Sequence, residues 1–444
     1  MTPARAGYTL LLYLALPLIA LRLVLRAIKQ PNYLRQIGER IGRYDKALHR
    51  SAGSKLIWVH AVSVGETRAA QPLVEMLLAK YAQAKVLVTY MTPTGRETGE
   101  ALFADRKDRI LHAYLPYDYP FAVSRFLDHF RPHLGLIMET ELWFNLLAGC
   151  SARKIPMLLV NGRLSQKSTA GYAHVAGLAG DALKTLFAIT AQSEADAARF
   201  RELGAENVLV AGNIKFDMVP DPELVKTGTV WRRALSPARQ VMVAANTRDG
   251  EEALILEAYR AVPEQRRRDL LLVMVPRHPQ RFNDVAALIE GSGFGAARRG
   301  LDQMPGDTTQ LWLGDTMGEM TAYYAMGDLA FIGGSLLPLG AHNLIEACAI
   351  GIPVLIGPHT FNFAEATDLA IACGAAVRVE NATALMEHAL SLLDDAAALK
   401  AMAEAGARFA EAHRGATKRT MALIAPLMES DGGKRGGERE GKCG

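Results

Sequence analysis

An α/β protein of two doubly wound, Rossmann-like domains with an apolar N-terminal helix is the fold class that three observations predict. From Lys55 onward, short apolar runs alternate with helical patterns, and such β-α alternation implies a parallel sheet with helices on both faces. The alternation weakens over residues 216–229, a stretch with two prolines and no strong period, and then restarts. The chain has 444 residues, more than the ~250–300 at which a single hydrophobic core stops growing.

The elements follow in order. Residues 7–21 carry no charge, and Arg22, Arg26 and Lys29 come after them. Counting through Leu25 with Arg22 snorkelling approaches the ~20 residues that a spanning helix needs. The flanks are wrong for a secretory signal, whose charge would lie in front and whose cleavage site would lie behind. The positive flank would keep the body of the protein in the cytoplasm. Residues 1–30 are therefore expected to anchor the chain to a membrane. Residues 31–50 continue the basic run with Arg35, Arg40, Arg43, Lys46 and Arg50, suited to anionic headgroups or to an acidic lipid substrate. Strands are expected at 56–62, 86–91, 111–116, 134–139, 156–162, 187–192 and 208–212. After the linker at 216–229, they resume at 241–245, 270–276, 329–334, 353–357 and 375–379. The expected domains run over 31–220 and 221–425. The Gly-rich, charged segment closing the chain places a disordered tail at 426–444.

Half of the residues are apolar, 22% are charged and the net charge is +4. That balance does not suggest a nucleic-acid binder. Four scattered cysteines without a C-x-x-C indicate neither a zinc knuckle nor a disulfide framework, and fit a reduced, cytosol-facing chain.

Ligands of open α/β sheets bind beyond the carboxyl ends of the strands, which selects the polar clusters to inspect. Glu66 follows the first strand and opens a helix, whose positive end would favour its charged form. It can be a base for an alcohol proton, or simply a cap. Glu139 and Glu141 end another strand and share a face if extended. Lys215 follows the strand at 208–212 and can serve as a point charge for an anion, or pair with Asp217. In the second half, Arg248 precedes a helix start and Arg277 follows a strand, its planar fork suited to phosphate. Gly318 permits close backbone approach. A Gly-rich turn leads from Gly333 into a helix expected near His342, with Glu346 one turn inside. Four such clusters after strands favour a nucleotide site in the second half.

The chain lacks G-x-x-x-x-G-K-[ST], G-x-G-x-x-G, G-x-S-x-G, H-E-x-x-H and Asp-x-Asp. No Walker loop, dinucleotide fingerprint, hydrolase elbow or metal motif is therefore indicated. The leaving group would be neutralised by Arg, Lys and helix ends.

Ten motifs in one order are HAVSVGET, MTPTGRE, LPYD, METELW, RLS…GY, KFD, VPRHPQRF, GDTMGEM, GGS…GAHNLIEA and IGPHTFNF. Together they resemble the 3-deoxy-D-manno-octulosonic acid (Kdo) transferases of lipopolysaccharide synthesis, as far as about residue 415. The resemblance implies a glycosyltransferase-B fold, two Rossmann-like domains facing across a cleft. It implies transfer of Kdo from CMP-Kdo to a lipid A precursor, lipid IVA, at the cytoplasmic face of the inner membrane, with no metal and no cofactor. It assigns Glu66 as the general base, and Glu139 and Lys215 as stabilisers of the transition state. Pro276, Arg277, Met317, Gly318, Glu319, Asn343, Leu344, Ile345 and Glu346 would bind CMP. The first domain would then be the acceptor domain and the second the donor domain. The chain has Leu344-Ile345 where the family often has Pro-Leu, Phe144 where it usually has Pro, and Arg248 where some members have His. Two rival readings are a nucleotide-sugar epimerase of similar fold and a membrane-tethered nucleotide-sugar binder without turnover.

Overall fold

The structure, a computed structural model, describes residues 2–46, 48 and 54–429. The tail expected from 430 onward lies outside the described residues. The chain divides into two compact units at Asp217/Met218 and again at His413/Arg414.

Among the described residues, the first unit holds seven parallel strands: β1 (Leu56–His60), β2 (Lys85–Tyr90), β3 (Ile110–Tyr114), β4 (Leu134–Met138), β5 (Met157–Gly162), β6 (Ala188–Ala191) and β7 (Val208–Val210). Their order is β3-β2-β1-β4-β5-β6-β7. The order reverses between β1 and β4, which makes that gap the topological switch point where ligands of such sheets bind. β1 shows why its sequence is apolar throughout. Ile57 and Val59 pack into one core and Leu56 and Trp58 into the other, so both faces are covered.

The second unit repeats the plan with β8 (Gln240–Thr247), β9 (Leu270–Pro276), β10 (Ala296–Arg298), β11 (Leu311–Leu313), β12 (Leu329–Ile332), β13 (Val354–Ile356) and β14 (Ala376–Arg378). The order is β10-β11-β9-β8-β12-β13-β14, with the switch point between β8 and β12. All twelve expected strands are present. β10 and β11 were not expected; each has three residues, too short for a periodic signal.

Three expectations need correction. The stretch 216–229 is not an irregular linker. Ile214–Asp217 forms a 3-10 turn and Pro222–Arg233 a helix capped by Asp221. That helix lies so close to Met320–Met326 that a Cβ at Gly228 would sit 2.2 Å from the Ala322 carbonyl oxygen. Second, residues 414–425 do not belong with the second domain. The helix Ala416–Glu429 buries Met421, Ile424, Leu427 and Met428 in the first unit's core, each worth ~1.5–3 kcal/mol. Asp217 accepts hydrogen bonds from the N–H groups of Gly415 and Thr417, which fixes the return. Residues 426–429, expected in the tail, are the last turn of this helix.

Third, the N-terminal segment is not one continuous helix. Pro3–Leu14 and Leu16–Lys29 are bent 50° apart, and among the described residues no single helix is long and apolar enough to cross a membrane, although the pair passes that test together. The first helix docks on its own unit. The Tyr8 hydroxyl donates to Asp118 at 3.0 Å, Thr9 Oγ1 donates to Asn145 Oδ1 at 3.2 Å, and the Tyr119 hydroxyl donates to the Leu12 carbonyl at 2.9 Å. Leu10, Leu11, Leu14, Leu18, Leu21 and Ile28 remain exposed.

Candidate active site

Glu66 and Glu139 follow the ends of β1 and β4, the two strands flanking the first switch point. Glu66 lies in the first turn of the helix Val64–Lys80. It accepts hydrogen bonds from the Val62 N–H at 2.9 Å and the Ser63 hydroxyl at 3.1 Å. These are the hydrogen bonds of the capping reading, made by the carboxyl that the chemical reading singles out. The expected preference for the charged form is not what results. Burial pushes the Glu66 carboxyl up to about 7; the Val62 N–H lowers it, while the charges of Glu139 and Glu141 raise it further. Desolvation and two like charges outweigh the helix end.

Glu139 is not extended. β4 ends at Met138, and Glu139 takes a left-handed φ of 59°, so the two-residue alternation expected for Glu139 and Glu141 does not apply. Non-glycine residues hold such a conformation at a cost of ~1–3 kcal/mol, and such residues cluster at functional sites. Its N–H bonds to Val160 O at 2.9 Å, and Tyr172 donates to Thr140 O at 3.3 Å. Glu141 is raised by burial first and then by Glu139. It reaches Glu66 electrostatically, and makes a third acidic group that the motif comparison left without a role.

Lys215 supplies the opposite charge. Its Nζ lies 3.1 Å from Glu139 Oε1, with both side chains about one-fifth exposed (21% and 22%). It does not pair with Asp217, which is committed to Gly415 and Thr417. A chain of amides, two of them buried, holds the turn that carries it. Asn161 Oδ1 accepts from the Ile214 N–H at 2.9 Å, Gln192 donates to Asn161 O at 3.0 Å, and Asn213 donates to Gln192 Oε1 at 3.1 Å. Sequence reasoning missed this support, whose only local sign is three isolated amide side chains near strand ends. The first unit therefore gathers a near-neutral carboxyl, two further carboxyls and one ammonium at one switch point, a set able to accept a proton from an alcohol and to stabilise charge.

In the second unit, Pro276 closes β9 opposite Thr247 of β8, and the Arg277 N–H bonds to Thr247 O at 3.0 Å. Next to β9, the loop after β11 carries Met317, exposed; Gly318, with φ +85° and open space beside it; and Glu319. Glu319 is held by Arg299 at 2.8 Å and by Thr316. Beyond the switch point, Asn343 Oδ1 accepts from the Ile345 N–H at 3.0 Å, and Thr321 donates to Glu346 Oε1 at 2.6 Å. Leu344 and Ile345 have fully buried side chains, so only their backbone can meet a ligand. The helix expected from His342 begins at Ile345 and has six residues. It gives no substantial helix-end field, and His342 itself lies in the loop. The helix after Arg248 offers no anion site either, because its first turn carries the buried Glu251 and Glu252. Glu251 instead binds the loop beyond β12, accepting from the N–H groups of Gly334, Ser335 and Leu336 at 2.6–2.9 Å. The groups here that could meet an anion are the side chains of Arg277 and Arg248 and the loop N–H groups. Among the described residues, no group of three His, Cys, Asp or Glu side chains could hold a metal ion.

A family model described as "3-Deoxy-D-manno-octulosonic-acid transferase (kdotransferase)" matches residues 35–218. A 3-deoxy-D-manno-octulosonic acid transferase of Bordetella pertussis is 45% identical over 82% of this chain and 86% of its own length. One of Haemophilus influenzae is 36% identical over 96% of this chain and 99% of its own. Among solved structures, a UDP-GlcNAc 2-epimerase from Neisseria meningitidis bound to UDP-GlcNAc covers 84% of this chain and all of its own, with a TM-score of 0.56 at 15% identity. That likeness concerns the fold alone.

Proposed function

This chain belongs to the 3-deoxy-D-manno-octulosonic acid transferases and is a glycosyltransferase of lipopolysaccharide biosynthesis; from that premise, we propose that it moves Kdo from CMP-Kdo to a lipid A precursor, lipid IVA, with inversion. The observation that carries this reading is the Glu66 carboxyl, held at about 7 beside the Glu139–Lys215 pair.

The acceptor sugar hydroxyl gives its proton to Glu66 as its oxygen attacks the anomeric carbon of Kdo. The bond from that carbon to the CMP phosphate breaks, and its electron pair leaves with CMP. A base tuned near the working pH combines a useful ionised fraction with a useful proton affinity. Lys215, oriented by Glu139, offsets negative charge developing around the reacting centre. Arg277 offsets the charge growing on the phosphate, the kind of preorganised electrostatic contribution that is usually the largest in such reactions. Pro276, Met317–Glu319 and Asn343–Glu346 hold the nucleotide, with Leu344 and Ile345 contributing backbone only.

The reaction is proposed for the cytoplasmic face of the inner membrane, with the N-terminal helices as the attachment. The exposed leucines on those helices and the following basic stretch support this. The experiment for the base is Glu66→Gln in single-turnover assays with saturating CMP-Kdo and acceptor. Turnover is expected to drop by at least ~10²-fold with CMP affinity retained. Unchanged turnover removes Glu66 from the role.

A further inference from the structure

Arg248 has no role in the reaction as set out above, yet it leaves the strand that both flanks the second switch point and adjoins β9. Thr247 and Pro276 are paired in register on β8 and β9, and the Arg277 N–H bonds back to Thr247 O at 3.0 Å. Arg248 and Arg277 therefore emerge side by side from adjacent strand ends. On the other side of β8, the Gly333 N–H bonds to Ala245 O at 2.8 Å, and a Cβ on Gly333 would lie 2.5 Å from Asn246 O. His342, tied to Gly333 O at 3.1 Å, has its ring beside Gly334.

The acids of the Arg248 loop have partners of their own, and the charge of Glu252 also reaches Arg248. Glu251 accepts the Arg248 backbone N–H and the three N–H groups of the 334–336 loop. Glu252 pairs with Arg281 at 3.2 Å, and Arg281 also pairs with Asp249. The Arg248 guanidinium forms no ion pair among the described residues and is half-buried. His342 Nε2 is buried without a hydrogen-bond partner. Burial, then Arg277 and Arg248, push His342 down to about 3; burial, then the same arginines, push His278 down. Two arginines thus leave adjacent strand ends beside the second switch point.

Resting on the reading above, the donor has two anionic groups: the phosphodiester of its CMP moiety and the carboxylate of the octulosonic acid. We propose that Arg248 is a specificity-determining residue that binds the sugar-acid carboxylate of the donor, while Arg277 binds the phosphate. A guanidinium grips a carboxylate through two parallel N–H···O bonds. An octulosonate would then be selected over a neutral sugar on the same nucleotide, because that sugar would leave Arg248 desolvated without a partner.

The test compares the full-length protein with Arg248→Ala, Arg248→Lys and Arg277→Ala variants. It measures KM for CMP-Kdo and the inhibition constant of CMP, which has the phosphate but not the carboxylate. Arg248→Ala is expected to raise KM for CMP-Kdo by ~10- to 100-fold, the loss of one charge-assisted contact, and to leave CMP inhibition within about twofold. Arg248→Lys should fall between the two, and Arg277→Ala should weaken both ligands. Retained CMP inhibition shows that the variant is folded. If Arg248→Ala weakens CMP as much as CMP-Kdo, the residue binds phosphate and the proposal is overturned; if neither changes, it lies outside the donor site. Wild-type protein without affinity for CMP would instead overturn the donor reading on which the proposal rests.

Discussion

Replacing Glu141 by Gln should move the acid limb of the rate profile to lower pH. Glu66 sits at about 7 through burial, and the Glu139 and Glu141 charges push in the same direction. Below that pH the carboxyl holds a proton and cannot take another, so log kcat/KM for the acceptor falls by about one unit per pH unit. Glu141→Gln removes one negative charge and keeps the shape of the side chain. A unit charge at ~8 Å in a medium of effective permittivity ~40 is worth ~1 kcal/mol, or ~0.8 pK unit. The acid limb would thus move down by ~0.8 unit, and one pH unit below the wild-type midpoint the variant would retain a ~4-fold larger share of its plateau rate than the wild type. The assay is initial-rate CMP release between pH 5 and 9, each protein scaled to its own plateau so that titration of the substrates cancels. An acid limb that stays within 0.2 unit of the wild type, or moves upward, would refute the electrostatic coupling of these carboxyls.

Other outcomes follow from the same structure. Glu66 has its folded pKa raised above the unfolded value, so its contribution to stability is fully present below about 4.5 and is lost as pH rises through about 7. The melting temperature of Glu66→Gln relative to wild type should therefore rise between pH 5 and 8, and a pH-independent difference would count against the buried, near-neutral carboxyl. Asp217→Ala removes the acceptor for two backbone N–H groups that hold the returning C-terminal helix. Hydrogen exchange over residues 416–429 should accelerate, with a stability loss of ~1–3 kcal/mol in denaturant titrations. Glu251→Gln puts an amide donor where four backbone N–H groups converge. It should loosen the 333–342 loop and weaken CMP binding at least several-fold, read by calorimetry. Gly228→Val should destabilise by ~2 kcal/mol or more, since the added carbons meet the Ala322 backbone.

Much of the fold could be read from the chain because buried parallel strands are written as apolar runs on both faces. LIWVH and LLLVMV are such runs. The same signal fails at Leu311–Leu313, where three residues suffice for pairing with β9. It also fails for Ala416–Glu429, whose amphipathic pattern marks a buried face without saying which sheet it covers. What decides that is Asp217, far away in sequence. For the candidate site, strand ends and charge type singled out Glu66, Glu139 and Lys215, which the structure groups together, but the sign of the Glu66 shift was not legible. A helix start argues for a charged carboxylate, and only the burial and the convergence of Glu139 and Glu141 reverse it. In the same way, the Gly-rich turn read as leading into a helix near His342, whereas the helix begins at Ile345 and is too short to hold an anion by its end.

The central claim is acceptor-dependent transfer of Kdo. CMP release from CMP-Kdo, with and without a tetraacylated lipid A precursor and with mass analysis of the lipid, tests it most directly. The account predicts release only when the acceptor is present, and a lipid heavier by one or more Kdo residues. Release without mass gain, or no release with a competent acceptor, would contradict it and direct attention to the epimerase or the non-catalytic binding reading.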